Sequence, residues 1–163
     1  DQVSNTVFVY NNRLSGNKQI GSTRYSFIRV TDSRLGGIAK NRTPDGQELY
    51  YSSRPRALLD AIYDWSRFNG IPRGFQWIQQ ELQKGTVQAP ELARLAVLFT
   101  NQATLRRLGL ILERAGAPAA ILKIIKKPIR RSRALVALNP AKSRKGPIIK
   151  FWGVIDNEYQ LRA

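Results

Sequence analysis

The first thirty residues alternate in the manner of strands. Thr6 to Tyr10, "TVFVY", is β-branched and aromatic, and "STRYSFIRV" brings Tyr25, Phe27, Ile28 and Val30 round after a turn-rich "NNRLSGNKQIG". Two strands, paired with each other, are expected here. A polar connection containing "TPDGQ" leads to a short apolar run at Leu49, Tyr50 and Tyr51, a third strand that stops at Ser52 and Ser53.

Beyond Ser53 the apolar period lengthens to three and four. Ser53 is placed to cap a helix, and Pro55 falls in its first turn, where no helical hydrogen bond is lost. Leu58, Leu59, Ile62 and Trp65 then share one side. Phe75, Ile78 and Leu82 mark a second helix ending near Gly85, and Pro90 opens a third with Leu92, Leu95, Leu98 and Phe99. Leu105, Leu108, Ile111 and Leu112 run along a fourth that ends at Gly116. A short fifth carries Ile121, Leu122, Ile124 and Ile125 and must end at Pro128. "RALVAL" and "IIKFWGVI" return to strand patterning, the second through Ile148, Phe151, Trp152 and Val154, with "NPAKSRKGP" as the loop between them. Strands flanking a helical stretch predict an α+β domain: a small mixed or antiparallel sheet from the N- and C-terminal strands, packed on a layer of about five helices. At 163 residues, with no repeat or low-complexity segment, residues 1–163 are expected to form a single domain.

Composition then narrows the chemistry. Without cysteine there is no disulfide, thiolate nucleophile or cysteine metal site, and without histidine the commonest general base and zinc ligand are missing. No apolar run approaches the roughly 20 residues of a membrane span, and "DQVSNTVFVY" lacks the regions of a signal peptide. A soluble, cytoplasmic protein is expected. The sequence begins at Asp1 on a strand-like run and has no methionine, so further sequence upstream is expected as well.

Charge changes the picture most. Lys and Arg number 27 against 11 Asp and Glu, a net +16 whose self-repulsion a polyanion would relieve. The excess is segregated: from Arg114 to Ile155 there are eleven cations and no acid, while the first 113 residues hold nine of the eleven acids. Hydrophobes at helix and strand periods run through this stretch, so it is a folded surface and not a basic tail. The candidate nucleic-acid contacts are Lys123, Lys126 and Lys127 at a helix end, Arg130, Arg131 and Arg133 on a connector, and Lys142, Arg144 and Lys145 on a loop. No long amphipathic helix with a basic polar face accompanies them, which argues against a membrane surface as the partner.

Other constellations point less far. Arg56, Asp60 and Asp64 stand four apart, the spacing of a solvated charge ladder. Asp45 and Glu48 sketch oxygen ligands for magnesium, the basis for a nuclease alternative. No glycine-rich loop followed by Lys and Ser or Thr is present, hence no phosphate-cradling fingerprint. No cofactor is implied, and the favoured reading is non-enzymatic.

Three motifs in register carry a family likeness. "YYSSRPRALLDAIYDW" presents Ser53, Arg56, Leu59 and Asp60. "TNQATLRRLGLILERAG" presents Asn101, Arg107, Leu108 and Gly109, and "LNPAKSRKGPIIKFWGVIDN" ends in a strand with Trp152. Over roughly residues 49 to 157 the chain resembles the C-terminal domain of AbiEi family antitoxins, from type IV toxin-antitoxin systems of the abortive-infection kind. The resemblance implies a bacterial transcriptional autoregulator that represses its own operon, a positively charged face that helps hold operator DNA, and a nucleotidyltransferase toxin as the partner opposed. The family also has an N-terminal winged helix-turn-helix that reads the operator; no such segment precedes the first strand here, which fits the expectation of missing upstream sequence. In residue terms the motif positions read as structural. Asp60 and Arg107 are expected to pair between two helices, Gly109 to permit close helix contact, and Trp152 to fill core. An RNA-binding or ribosome-associated module is the main alternative, since basic charge serves it equally.

Overall fold

The computed structural model describes residues 5–158, and the chain divides into two compact units, Asp1–Gly36 and Gly37–Ala163. The sequence reading took the chain as one.

The first unit is a three-stranded sheet of β1 (Thr6–Asn11), β2 (Gly16–Ile20) and β3 (Thr23–Arg29), in the order β1-β3-β2. β1 and β3 are paired as the alternation predicts, and they run parallel, from Thr6 beside Arg24 to Asn11 beside Arg29. β2 was hidden inside the turn-rich stretch: its sequence GNKQI is exposed throughout and has no apolar rhythm. It is a strand because a turn at Gly21, where φ is +58°, folds it back antiparallel on β3. Asn11 ends β1 by accepting from the backbone amides of Arg13 and Leu14 at 2.9 and 2.5 Å. A single 3-10 turn follows at Asp32–Arg34.

The second unit opens with a hairpin of β4 (Ile38–Arg42) and β5 (Glu48–Ser52), antiparallel from Ile38 opposite Ser52 to Arg42 opposite Glu48. β5 is the expected third strand, and β4 is an addition. Six helices follow: α1 (Arg54–Tyr63), α2 (Trp65–Phe68), α3 (Arg73–Gln83), α4 (Ala89–Phe99), α5 (Gln102–Arg114) and α6 (Ala119–Lys126). Three two-residue strands close the unit, β6 (Val136–Ala137), β7 (Ile148–Ile149) and β8 (Val154–Ile155), in the order β6-β8-β7.

α5 lies at the centre of this unit, buried without interruption from Thr104 to Leu112. Helices that bury every face belong to the interior. Its start is fixed by Asn101, whose Oδ1 accepts from the Thr104 amide at 2.9 Å. Its end is a Schellman turn around Gly116 at φ +76°, with Ala117 N donating to Leu112 O and Gly116 N to Glu113 O. Leu59 and Ile62 of α1, Ile78 of α3, Leu92 of α4 and Ile125 of α6 join Leu108, Leu112 and Trp152 in a core closed to water. These are the apolar stripes of the sequence, and the mixed α+β class holds.

Several expectations need correction. The N- and C-terminal strands do not share a sheet: β1, β2 and β3 satisfy one another, and β6, β7 and β8 form a separate small sheet beside the helices. "IIKFWGVI" is not one strand. Trp152 N and Gly153 N both bond Ile149 O, a tight turn that Gly153 completes at φ +66°, so β7 and β8 form a hairpin. Trp65 belongs to α2 and not to α1, which stops at Tyr63, but it still packs against the same core. Ser53 stands at the N-cap of α1 but makes no capping bond, and its Oγ is buried without a hydrogen-bond partner.

Candidate nucleic-acid interface

The acid-free segment folds in three pieces. α6 places Lys123, Lys126 and Lys127 at its C-terminal end, a connector carries Arg130, Arg131 and Arg133, and the loop before β7 carries Lys142, Arg144 and Lys145. Pro128 ends the helix, and Gln102 of α5 pins the connector: its Nε2 donates to Pro128 O at 3.0 Å while its Oε1 accepts from Arg130 N at 2.8 Å.

Three of the nine predicted cations meet at one hollow of about 220 Å³. Lys126, Arg130 and Arg131 line it together with Arg106 of α5 and Lys150 of the β7–β8 turn, and among the described residues no carboxylate lines it. Ile129, Phe151 and Trp152 supply apolar wall. Arg106 is buried, with Nη1 donating to Ala134 O at 2.7 Å and Nη2 to Arg130 O at 3.2 Å, so it ties the connector down while adding charge. Its Nε is buried with no hydrogen-bond partner. Lys126 donates to Phe151 O and stands over two rings, 4.4 Å from the centroid of Phe151 and 5.4 Å from that of Trp152. Burial, helped by the charge of Arg106, holds its ammonium below the usual lysine range. A bound anion would remove that cost. The hollow therefore gathers positive charge that is only partly answered by carbonyl oxygens and ring faces.

The other predicted cations are placed differently. Lys142 lies 3.1 Å from the buried carboxylate of Glu158, which also accepts from Asn139 Nδ2 at 2.5 Å, and Arg144 donates to Leu135 O. Lys123, Lys127, Arg133 and Lys145 are exposed and outside the hollow's lining. Sequence reading passed over Arg106 and Lys150. Arg106 sits beside a motif residue in "LRRLG", and Lys150 lies within the acid-free run, but nothing local distinguished either.

The residues on which the resemblance was drawn are mostly part of the core or of its hydrogen bonding. Trp152 fills core as expected, 1% exposed, with its Nε1 donating to Glu113 at 2.9 Å; Gly109 makes room for the Trp152 indole and not, as expected, for another helix. Leu59 and Leu108 are core, and Asn101 is the cap of α5. Arg56 and Asp60 are not a solvated ladder. They form a buried i,i+4 pair at 2.9 Å, with the guanidinium 4.6 Å from the Phe99 ring. Arg107 does not reach Asp60 as expected; its Nε donates to Ala137 O at 3.0 Å, fastening β6 to α5, and burial lowers its pKa.

The carboxylates behind the nuclease alternative are committed or scattered. Glu48 lies 2.5 Å from Lys40 Nζ and accepts from Tyr50 Oη, and Asp45 is exposed in the β4–β5 turn. Among the described residues no three His, Cys, Asp or Glu side chains are grouped to hold a metal ion, and no helix is long and apolar enough to cross a membrane.

No protein-family model, curated protein or solved structure matches this chain.

Proposed function

We propose that this chain contacts nucleic acid through backbone phosphates and is the DNA-holding C-terminal domain of an AbiEi-type antitoxin, a regulator that represses its own operon and opposes a nucleotidyltransferase toxin. The observation that carries the phosphate contact is the hollow of five cations without an acid among the described residues, four of them from the eleven-cation segment between Arg114 and Ile155. Counterion release makes such a surface bind polyanions with little regard to sequence. The antitoxin part of the reading rests on the three motifs, and no catalytic step belongs to it.

Duplex DNA binding, followed by anisotropy across a salt series, tests the phosphate contact. Affinity is expected to fall linearly on log–log axes with a slope of about −0.9 per phosphate. Replacing Arg130, Arg131 and Arg133 with alanine flattens that slope and weakens binding on every sequence, while thermal stability changes little because these side chains are exposed. An unchanged slope overturns it. Co-expression with a nucleotidyltransferase toxin encoded next to this protein, expected to restore growth, tests the antitoxin assignment separately.

A further inference from the structure

Phe151 is the exposed member of an aromatic pair. It stands in the turn between β7 and β8, 54% exposed, while its neighbour Trp152 is buried in the core. The two rings meet edge to face, with centroids 4.9 Å apart at 88°, and Lys126 sits over Phe151. An exposed aromatic alone would mean little. This one forms part of the wall of the cationic hollow.

Size limits what the hollow takes. At about 220 Å³ it is smaller than the roughly 300–1,000 Å³ of sites that enclose a whole organic ligand. A phosphate and the edge of its sugar fit among Arg130, Arg131 and Lys150, but the attached base must lie outside, where the open part of the Phe151 ring is the adjacent apolar surface. A base in a duplex cannot reach it without leaving its stack. A base in an unpaired strand is free to do so, and stacking on an aromatic beside a basic groove is how proteins hold single strands without reading sequence.

We infer that the hollow holds one backbone phosphate of an unpaired polynucleotide whose neighbouring base stacks on Phe151, so that this site favours single strands at equal charge. The inference rests on the reading that this surface meets nucleic acid, and adds the strand state and the residue that senses it.

The test uses the full chain at one salt concentration with four labelled probes: an oligothymidine of about twelve nucleotides, an abasic strand of the same length, a duplex of that length, and the matching oligouridine. Oligothymidine is expected to bind about ten-fold tighter than the abasic strand, which has the same phosphates and no bases. Phe151→Leu is expected to erase that difference, lowering affinity for duplex far less than for oligothymidine, and Phe151→Trp to keep it. The oligouridine strand, which differs in its 2′-hydroxyl and lacks the 5-methyl group, is expected to show the same Phe151 dependence, because stacking needs only the face of the base. Equal binding of the base-bearing and abasic strands, or a Phe151→Leu protein that still distinguishes them, overturns the inference. If duplex binding responds to Arg130, Arg131 and Arg133 while Phe151→Leu changes nothing, the inference alone fails. Absence of binding to every probe removes the nucleic-acid reading together with it.

Discussion

Gly109 and Trp152 occupy one another's space: a Cβ built on Gly109 would lie 2.2 Å from Cζ3 of Trp152 and 2.4 Å from Cε3. The contact joins the central helix α5 to the turn that carries Phe151 and Lys150. Gly109→Ala must push a buried indole out of a closed core, and overpacking of this kind costs about 1–3 kcal/mol or more. The midpoint of urea unfolding should fall accordingly. Combining it with Trp152→Leu should cost less than the sum of the two single changes, since the smaller side chain leaves room for the methyl.

Arg56 and Asp60 form a buried pair, with side chains only 3% and 7% exposed. Arg56→Met breaks this buried pair and is expected to destabilise the fold by about 1–3 kcal/mol. Arg56→Met with Asp60→Leu, which removes both charges, should recover much of that loss. Denaturant titration of the three proteins measures it.

Asn101 holds one of the free amides at the start of α5, that of Thr104. Asn101→Ala should cost about 1 kcal/mol and Asn101→Ser far less, because a serine oxygen can accept the same bond. Thermal melts of both variants decide this. The helix that presents Arg106 should fray first in the alanine form, visible as faster amide exchange in its first turn.

Lys126 gives the hollow a pH dependence. Its pKa is lowered by burial and by Arg106, so between that value and the ordinary lysine value the unfolded chain holds a proton that the folded one has released. Folding stability from this group therefore rises with pH across that window. Affinity for a polyanion moves the opposite way and declines as Lys126 is neutralised, at lower pH than for contacts made by ordinary lysines. Lys126→Arg keeps its charge and should carry binding to higher pH, as anisotropy titrations would show.

The helices were legible because their apolar residues recur at three and four, and Leu59, Ile78, Leu92, Leu108 and Ile125 all fall in the core those stripes predict. The Gly116 stop was legible from equally local sequence, whereas Asn101 was read only as a motif residue and its capping of α5 came from the structure. β2 and β4 were not, because their pairing is made by backbone hydrogen bonds that GNKQI and IAKNR do not advertise in side chains. The spacing of Arg56 and Asp60 was visible, but spacing does not say which face of α1 the core covers. Arg107 had the right position for an ion pair and took a carbonyl of β6 instead, a partner thirty residues away.

By itself the sequence determined the periods of the helices, the stops near Gly85, Gly116 and Pro128 and the long stretch without a carboxylate, since each is set by residues close in the chain. Tertiary structure decided which cations converge. Charged side chains have no apolar period to place them, so Arg106, Lys126 and Lys150 come together only because α5, α6 and the β7–β8 turn are locked against each other by the packing of Trp152, while Lys142 and Arg144 are drawn to partners of their own.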